Sequence, residues 1–230
     1  MEDKRNNQVS ALEQSDLPAG LSDRPRIIEL PKIILASGSP RRAEILRTVG
    51  WPFEIMVPDI DETRRTSEDA VTYVQRLARS KAEAVAQRIP SSLIVAADTT
   101  VVIDEQILEK PSDQNDAGRM LRKLSGQWHQ VITGVALIDA ATSQIQVRCE
   151  KTEVKFAAMS EDEVNWYASS GEPMDKAGAY AIQGLGARFI ERIQGDYFNV
   201  MGLPVRLLYE MVQESSAKSR PNGARTSLSA

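Results

Sequence analysis

A chain of 230 residues, 42% hydrophobic and 26% charged, is long and balanced enough to fold around a sizeable core. Its formal net charge of −4 argues against a broad nucleic-acid-binding surface while leaving a mononucleotide compatible; its single cysteine, Cys149, excludes an intramolecular disulfide framework and fits a reducing cytoplasm; its single histidine, His129, excludes His-rich zinc and paired-histidine chemistry. The opening MEDKRNNQVS lacks an apolar signal core, and no apolar run approaches the roughly 20 residues of a membrane span, so neither export nor anchoring is expected.

In chain order, residues 1–30 are polar and of mixed charge, with Pro18, Gly20 and Pro25, and read as a disordered extension. A strand-like run, Lys32 to Ala36, leads through Ser-Gly-Ser-Pro into a helix over Arg41 to Thr48, with Ser39 placed to cap it and Pro40 suited to its first position. Helical spacing of Val71, Val74, Leu77, Ala78, Ala82, Val85 and Ile89 predicts a second helix over about Glu68 to Arg88. Leu93 to Ala97 reads as a buried strand that ends at Asp98-Thr99, with a second run from Thr100 to Ile103 and a turn at Asp104 to Gln106. A third helix follows Ser112 and stops before Gly126, and a long hairpin is predicted over Gln130 to Ile138 and Ile145 to Phe156. Ser160 and Glu163 have capping-box spacing, the glycine-rich segment Lys176 to Gly186 reads as loop or short strand, and a last helix runs from Pro204 to Val212. A folded region over 31–213 is expected, with 214–230 a disordered tail; the sum is a mixed α/β protein.

Several segments carry chemistry. In Ser37-Gly-Ser-Pro-Arg41-Arg42, amides at a helix start, hydroxyls and guanidinium groups can converge on an anion, although a capped helix with two solvated arginines explains the same residues. It is not a P-loop, because no Gly-Lys-Ser/Thr follows. Asp98, at the expected strand end, suits a metal-binding or catalytic carboxylate, and equally a turn cap. Glu62 could give a second oxygen ligand to Mg²⁺ or Mn²⁺, though a solvated acidic loop accounts for Asp59 to Glu62 as well. Lys81 and Lys110 could neutralise phosphate; surface lysines are common, and either one alone is weak evidence. The amide of Gln183 matches the N3–H and O4 edge of uracil or thymine, in a stretch that could also be a tight structural loop. His129 reads as a packed structural histidine and Cys149 as a side chain on the sheet.

Taken together, Leu35-Ala-Ser-Gly-Ser-Pro-Arg-Arg42, Ala97-Asp-Thr99, Leu108-Glu-Lys-Pro111, Leu124-Ser-Gly126 with His129 and Thr133-Gly134, Gly171-Glu-Pro173, Asp175-Lys-Ala-Gly-Ala-Tyr180, Ile182-Gln-Gly184 and Val200-Met-Gly-Leu-Pro204 resemble the Maf family over about residues 32–213. The resemblance implies an elongated mixed sheet with flanking helices, two lobes around a deep cleft, often a homodimer, and metal-dependent pyrophosphohydrolysis of nucleoside triphosphates. It implies that Arg41, Thr99 and Gln183 match the specificity positions of the branch acting on dTTP and UTP. Asp98 then looks like the proton acceptor, Glu62 and Asp98 the metal site, and Ser37, Arg42, Lys81 and Lys110 the triphosphate lining. Ala181 departs from the pattern, where glycine is common, and its methyl group would narrow the loop beside Gln183. A non-catalytic, nucleotide-binding regulator of cell division is the alternative reading of the same cleft.

Overall fold

The first strand, β1 (Ile33–Leu35), lies between β2 (Phe53–Ile55) and β3 (Leu93–Ile103) and runs parallel to both. Parallel neighbours need crossovers, which are supplied by α1 (Pro40–Thr48) and α2 (Ala70–Ala86). From β3 onward the pairing is antiparallel: β4 (Gln106–Leu108) folds back on the end of β3, while β5 (Trp128–Asp139), β6 (Gln144–Phe156) and β7 (Ile190–Gln194) follow in order. The result is a mixed seven-stranded sheet, seen in a computed structural model that describes residues 30–218. Around it stand α3 (Gln114–Leu124), α4 (Glu161–Ser169), α5 (Tyr197–Met201) and α6 (Val205–Lys218). No helix among the described residues is long and apolar enough to cross a membrane.

Local chemistry sets these elements. Asp69 caps α2 by accepting from Val71 N and Thr72 N, and both halves of the Ser160/Glu163 capping box are formed on α4. The α2 face carrying Val74, Leu77, Ala78, Ala82 and Val85 is buried on the sheet, each of the larger side chains contributing about 1.5–3 kcal/mol. Gly134 on β5 admits this helix: a Cβ there would stand 2.5 Å from the Val74 carbonyl oxygen.

Two of the buried clusters among the described residues share the long central strands. One joins Ile34, Ala36, Ile94, Ala96, Ala136 and Ile138 to α2; the other joins Val101, Ile103, Val131, Val154 and Phe156 to α3 and α4. The mixed α/β class expected from the sequence is the class observed, and the two cores leave a cleft across the middle of β3.

Three expectations change. Asp98-Thr99 does not end a strand, because β3 runs unbroken for 11 residues and its polar pair faces the cleft. Residues 214–218 are not tail, since α6 continues to Lys218. The segment from Lys176 to Gly186 contains short 3-10 turns, at Ala177–Ala179 and beginning at Leu185. The disorder expected of 1–29 and 219–230 falls outside the described residues.

Candidate active site

β3 has one edge that changes partner. β1 pairs with Leu93 to Val95 and then turns away into Ser37, while β4 pairs only with Val101 to Ile103. The intervening stretch, with Asp98 near its middle, therefore borders a cavity of about 620 Å³, within the range of a nucleotide-sized ligand. The two chain segments that diverge there bring Ser37 to Arg42 from one direction and Glu109-Lys110 from the other.

At the centre, Lys81 Nζ on α2 lies 2.7 Å from Asp98 Oδ1 and 3.0 Å from Glu62 Oε1. Asp98 pairs in register with Gly134, so the close approach of α2 over that glycine is what brings the lysine to the carboxylate. Burial raises the Asp98 pKa above the ordinary value, with Lys81 and Arg42 opposing the rise and Glu62 adding to it. Tyr73 Oη donates to Glu109 Oε1 at 2.8 Å, with the Glu62 carbonyl oxygen sharing the same hydrogen at a longer 3.3 Å, which ties together the two loops that flank Asp98.

Arg42 forms the floor. Its guanidinium donates to the Gly202 carbonyl at 2.8 Å, to Ser37 Oγ at 3.2 Å and to Thr99 Oγ1 at 3.2 Å, joining α1 to β3 and to the turn before α6. Three of its five N–H groups are thus spent on protein, and burial lowers its pKa against the pull of Asp98. Thr99 also meets Thr133 Oγ1 at 3.0 Å, beneath the cleft. Ser39 occupies the cap position of α1, but its hydroxyl caps nothing; the Ser39 amide donates to Ser37 Oγ instead. The first amides of α1, which have no partner within the helix, border the cleft.

Arg41 reaches across to Asp175 at 3.1 Å, and Lys110 and Gln183 line the cleft without a hydrogen bond from their side chains to any described residue. The arrangement brings together the candidate site residues named from the sequence: Ser37, Arg41, Arg42, Glu62, Lys81, Asp98, Thr99, Lys110 and Gln183. His129 does not line it. It is buried under Tyr180, 2.8 Å from that hydroxyl and edge-on to Phe156, and burial pushes its pKa down to about 4.

Among the described residues no group of three or more His, Cys, Asp or Glu side chains converges on a metal position. Two carboxylates, Asp98 and Glu62, are joined through one ammonium. That donor set fits Mg²⁺ or Mn²⁺ held by one or two carboxylates together with phosphate oxygens and water.

The description "Maf-like protein" belongs to a family model that matches residues 32–215, almost the whole described region. The chain belongs to the Maf-like family. Among its relatives, the dTTP/UTP pyrophosphatase of Symbiobacterium thermophilum is 47% identical over 185 residues, covering 80% of this chain and 94% of the relative. Those so named in Vibrio cholerae and Salmonella typhimurium are 49% identical, again over 80% of this chain, covering 96% and 93% of their own lengths. Among solved structures, the Staphylococcus aureus Ham1 protein superposes with a TM-score of 0.46 at 15% identity, covering 80% of this chain and all of that one.

In this Maf-like chain the family strings do different physical work. Within them Ser37 to Arg42, Asp98-Thr99 and Glu109-Lys110 line the cleft, whereas Thr133-Gly134 lies behind it and supports α2. Ala181 is buried at the cleft wall with its amide donating to Tyr167 Oη. Residues that sequence reasoning did not single out are Tyr73, Glu109, Asp175 and Asn199. Asn199 is fully buried, donating to the Val131 carbonyl and to Thr152 Oγ1, and so anchors α5 behind the site. Tyr73 precedes Val74 of the apolar face and could have been found there; Glu109 and Asp175 stand within the strings Leu108-Glu-Lys-Pro111 and Asp175-Lys-Ala-Gly-Ala-Tyr180, but no role attaches to either acid there.

Proposed function

We propose that this chain hydrolyses dTTP and UTP, and modified pyrimidine nucleoside triphosphates of the same shape, to the monophosphate and pyrophosphate, with Mg²⁺ or Mn²⁺, as a cytoplasmic homodimer. The observation that carries the reading is the meeting of one buried carboxylate, Asp98, with Lys81, Lys110, Arg41, Arg42 and the open end of α1 in a single cleft. The relatives named dTTP/UTP pyrophosphatase support the choice of substrate.

Asp98 and Glu62 would hold the divalent ion, which when bound supplies charge neutralisation to phosphate oxygens. Asp98, its carboxylate made more basic by burial, takes a proton from water as the water oxygen bonds to the α-phosphorus. The bond from the α-phosphorus to the bridging oxygen breaks, and pyrophosphate leaves with that oxygen. Lys81 and Lys110 stabilise the charge gathering on it, while Arg42 holds Ser37 and Thr99 in place and contributes its field. Gln183 reads the N3–H and O4 edge, so cytosine, with an amine at position 4 and no N3–H, is disfavoured.

The test is pyrophosphate release from dTTP, UTP, CTP, GTP and 7-methyl-GTP, with Mg²⁺, with Mn²⁺ and with chelator. Metal-dependent turnover of dTTP and UTP above the others is expected. Nucleotide binding without pyrophosphate release would replace this reading with a non-catalytic one.

A further inference from the structure

Gln183 stands on a loop pinned on both sides by one pair of side chains from elsewhere in the chain. Ahead of it, the Ala181 amide donates to Tyr167 Oη at 3.1 Å, and that hydroxyl donates in turn to Glu172 Oε1 at 2.7 Å. Beyond it, the Gly186 amide donates to Glu172 Oε1 at 3.0 Å and the Leu185 amide to Oε2 at 2.9 Å. The bonds form a closed circuit with Gln183 at its apex.

The circuit is tightly packed. Gly184 has φ +95°, and a Cβ built on it would lie 2.5 Å from Glu172 Oε2. At Gly186 a Cβ would lie 2.5 Å from both the Ala181 carbonyl oxygen and Tyr167 Oη. Burial works to raise the Glu172 pKa, but its amide and hydroxyl donors, with Lys176, hold it below the ordinary value. The carboxylate therefore remains an acceptor at neutral pH. Nothing else described holds the Gln183 side chain, so the direction of its amide depends on where the clamp sets the backbone, and a site loose by about 1 Å loses discrimination.

We infer that Glu172, acting with Tyr167, is a positioning residue for base selection: it sets the 181–186 loop so that the Gln183 amide meets the base, an inference resting on the pyrimidine-nucleotide reading above. Glu172 does not itself line the cleft, so it acts through the loop it holds.

The experiment compares the full chain as wild type, Glu172→Gln, Tyr167→Phe and Gln183→Ala, by pyrophosphate release from UTP and CTP and by hydrogen exchange in peptides covering 181–186. Glu172→Gln preserves size but sets an N–H donor against an N–H donor. Exchange in the loop should accelerate, KM for UTP should rise roughly tenfold with a smaller change in kcat, and the preference for UTP over CTP should fall towards that of Gln183→Ala. Tyr167→Phe should move the same readouts in the same direction, and it carries the test if Glu172→Gln fails to fold. A lower melting temperature with the UTP:CTP ratio unchanged, while Gln183→Ala loses the preference, overturns the inference and leaves the pyrimidine reading standing. A wild type that does not prefer UTP to CTP overturns the role of Gln183 and the inference with it.

Discussion

Lys81 on α2 donates a 2.7 Å hydrogen bond to Asp98 on β3, and the two side chains are only 8% and 12% exposed. A pair this far from solvent costs desolvation on both sides, and removing one partner leaves the other uncompensated. Lys81→Met should therefore destabilise the fold by about 3–5 kcal/mol in denaturant titration, with part of that recovered in Lys81→Met/Asp98→Asn, where the Asp98 charge is no longer left without its lysine. Equal losses in the single and double variants would show that the lysine matters for packing rather than for the pair.

Asp98→Asn keeps the shape and one oxygen for Lys81 but removes the base, so turnover should fall by about 10²–10⁴-fold, beyond the loss of stability that follows from leaving Lys81 without its buried counter-charge. The pH dependence follows from the same residue. Burial holds its pKa above the ordinary value in the enzyme before metal and nucleotide bind, so kcat/KM, which reports the free enzyme, should decline on acidification at a pH above the usual carboxylate range. Lys81 opposes that rise, so any residual activity of Lys81→Met should show its acid limb shifted further upward. An acid limb left in place by that substitution would remove Asp98 from the role of base.

What could be read from the sequence, and what could not, divides along physical lines. The long helices and the β5–β6 hairpin were legible because apolar periodicity and capping residues repeat over many positions. Short elements such as β2, β7 and α5 offer too few residues for a period to show, and tertiary pairing defines them. Asp98-Thr99 read as a strand end because a polar pair interrupts an apolar run; only the departure of β1 from one edge of β3 shows that the pair belongs to the strand. Lys81 follows Leu77 by four positions and Ala78 by three, so its place on the buried face was present in the spacing, masked by the general rule that lysines lie outside. Glu172 is marked only as part of the string Gly171-Glu-Pro173, with no role attached: its partners, two backbone amides and the Tyr167 hydroxyl, are brought to it by the fold.

The contact between Gly134 and α2 makes a prediction about catalysis from a residue outside the cleft. A methyl group there would meet the Val74 carbonyl at 2.5 Å and the Gln75 amide nitrogen at 2.8 Å. The helix cannot yield locally, because both atoms are backbone, so Gly134→Ala should cost about 1–3 kcal/mol and displace α2 as a body. Lys81 travels with it, and kcat should fall even where the variant is fully folded in a thermal melt. Full activity in a destabilised Gly134→Ala would show that Lys81 keeps its place by other means.

His129 sets an acid limit on stability that is separate from the active site. Its folded pKa of about 4 lies below the ordinary value of about 6.5, because burial beside Phe156 and Tyr180 disfavours the charged ring. Above both values the ring is neutral in either state and has no effect. Between them the unfolded chain binds a proton that the folded chain does not, so stability falls as pH drops, by up to about 3 kcal/mol once the folded value is reached. Several carboxylates that hold partners in the fold, Glu68 and Asp116 among them, lose stability at lower pH, so the histidine is isolated by comparison with a variant. His129→Gln should be less stable than wild type at pH 7, having lost a well-packed ring, but the gap should narrow steadily between about pH 6.5 and 4 in denaturant titrations. A gap of constant size across that window would mean that His129 takes up its proton within the fold.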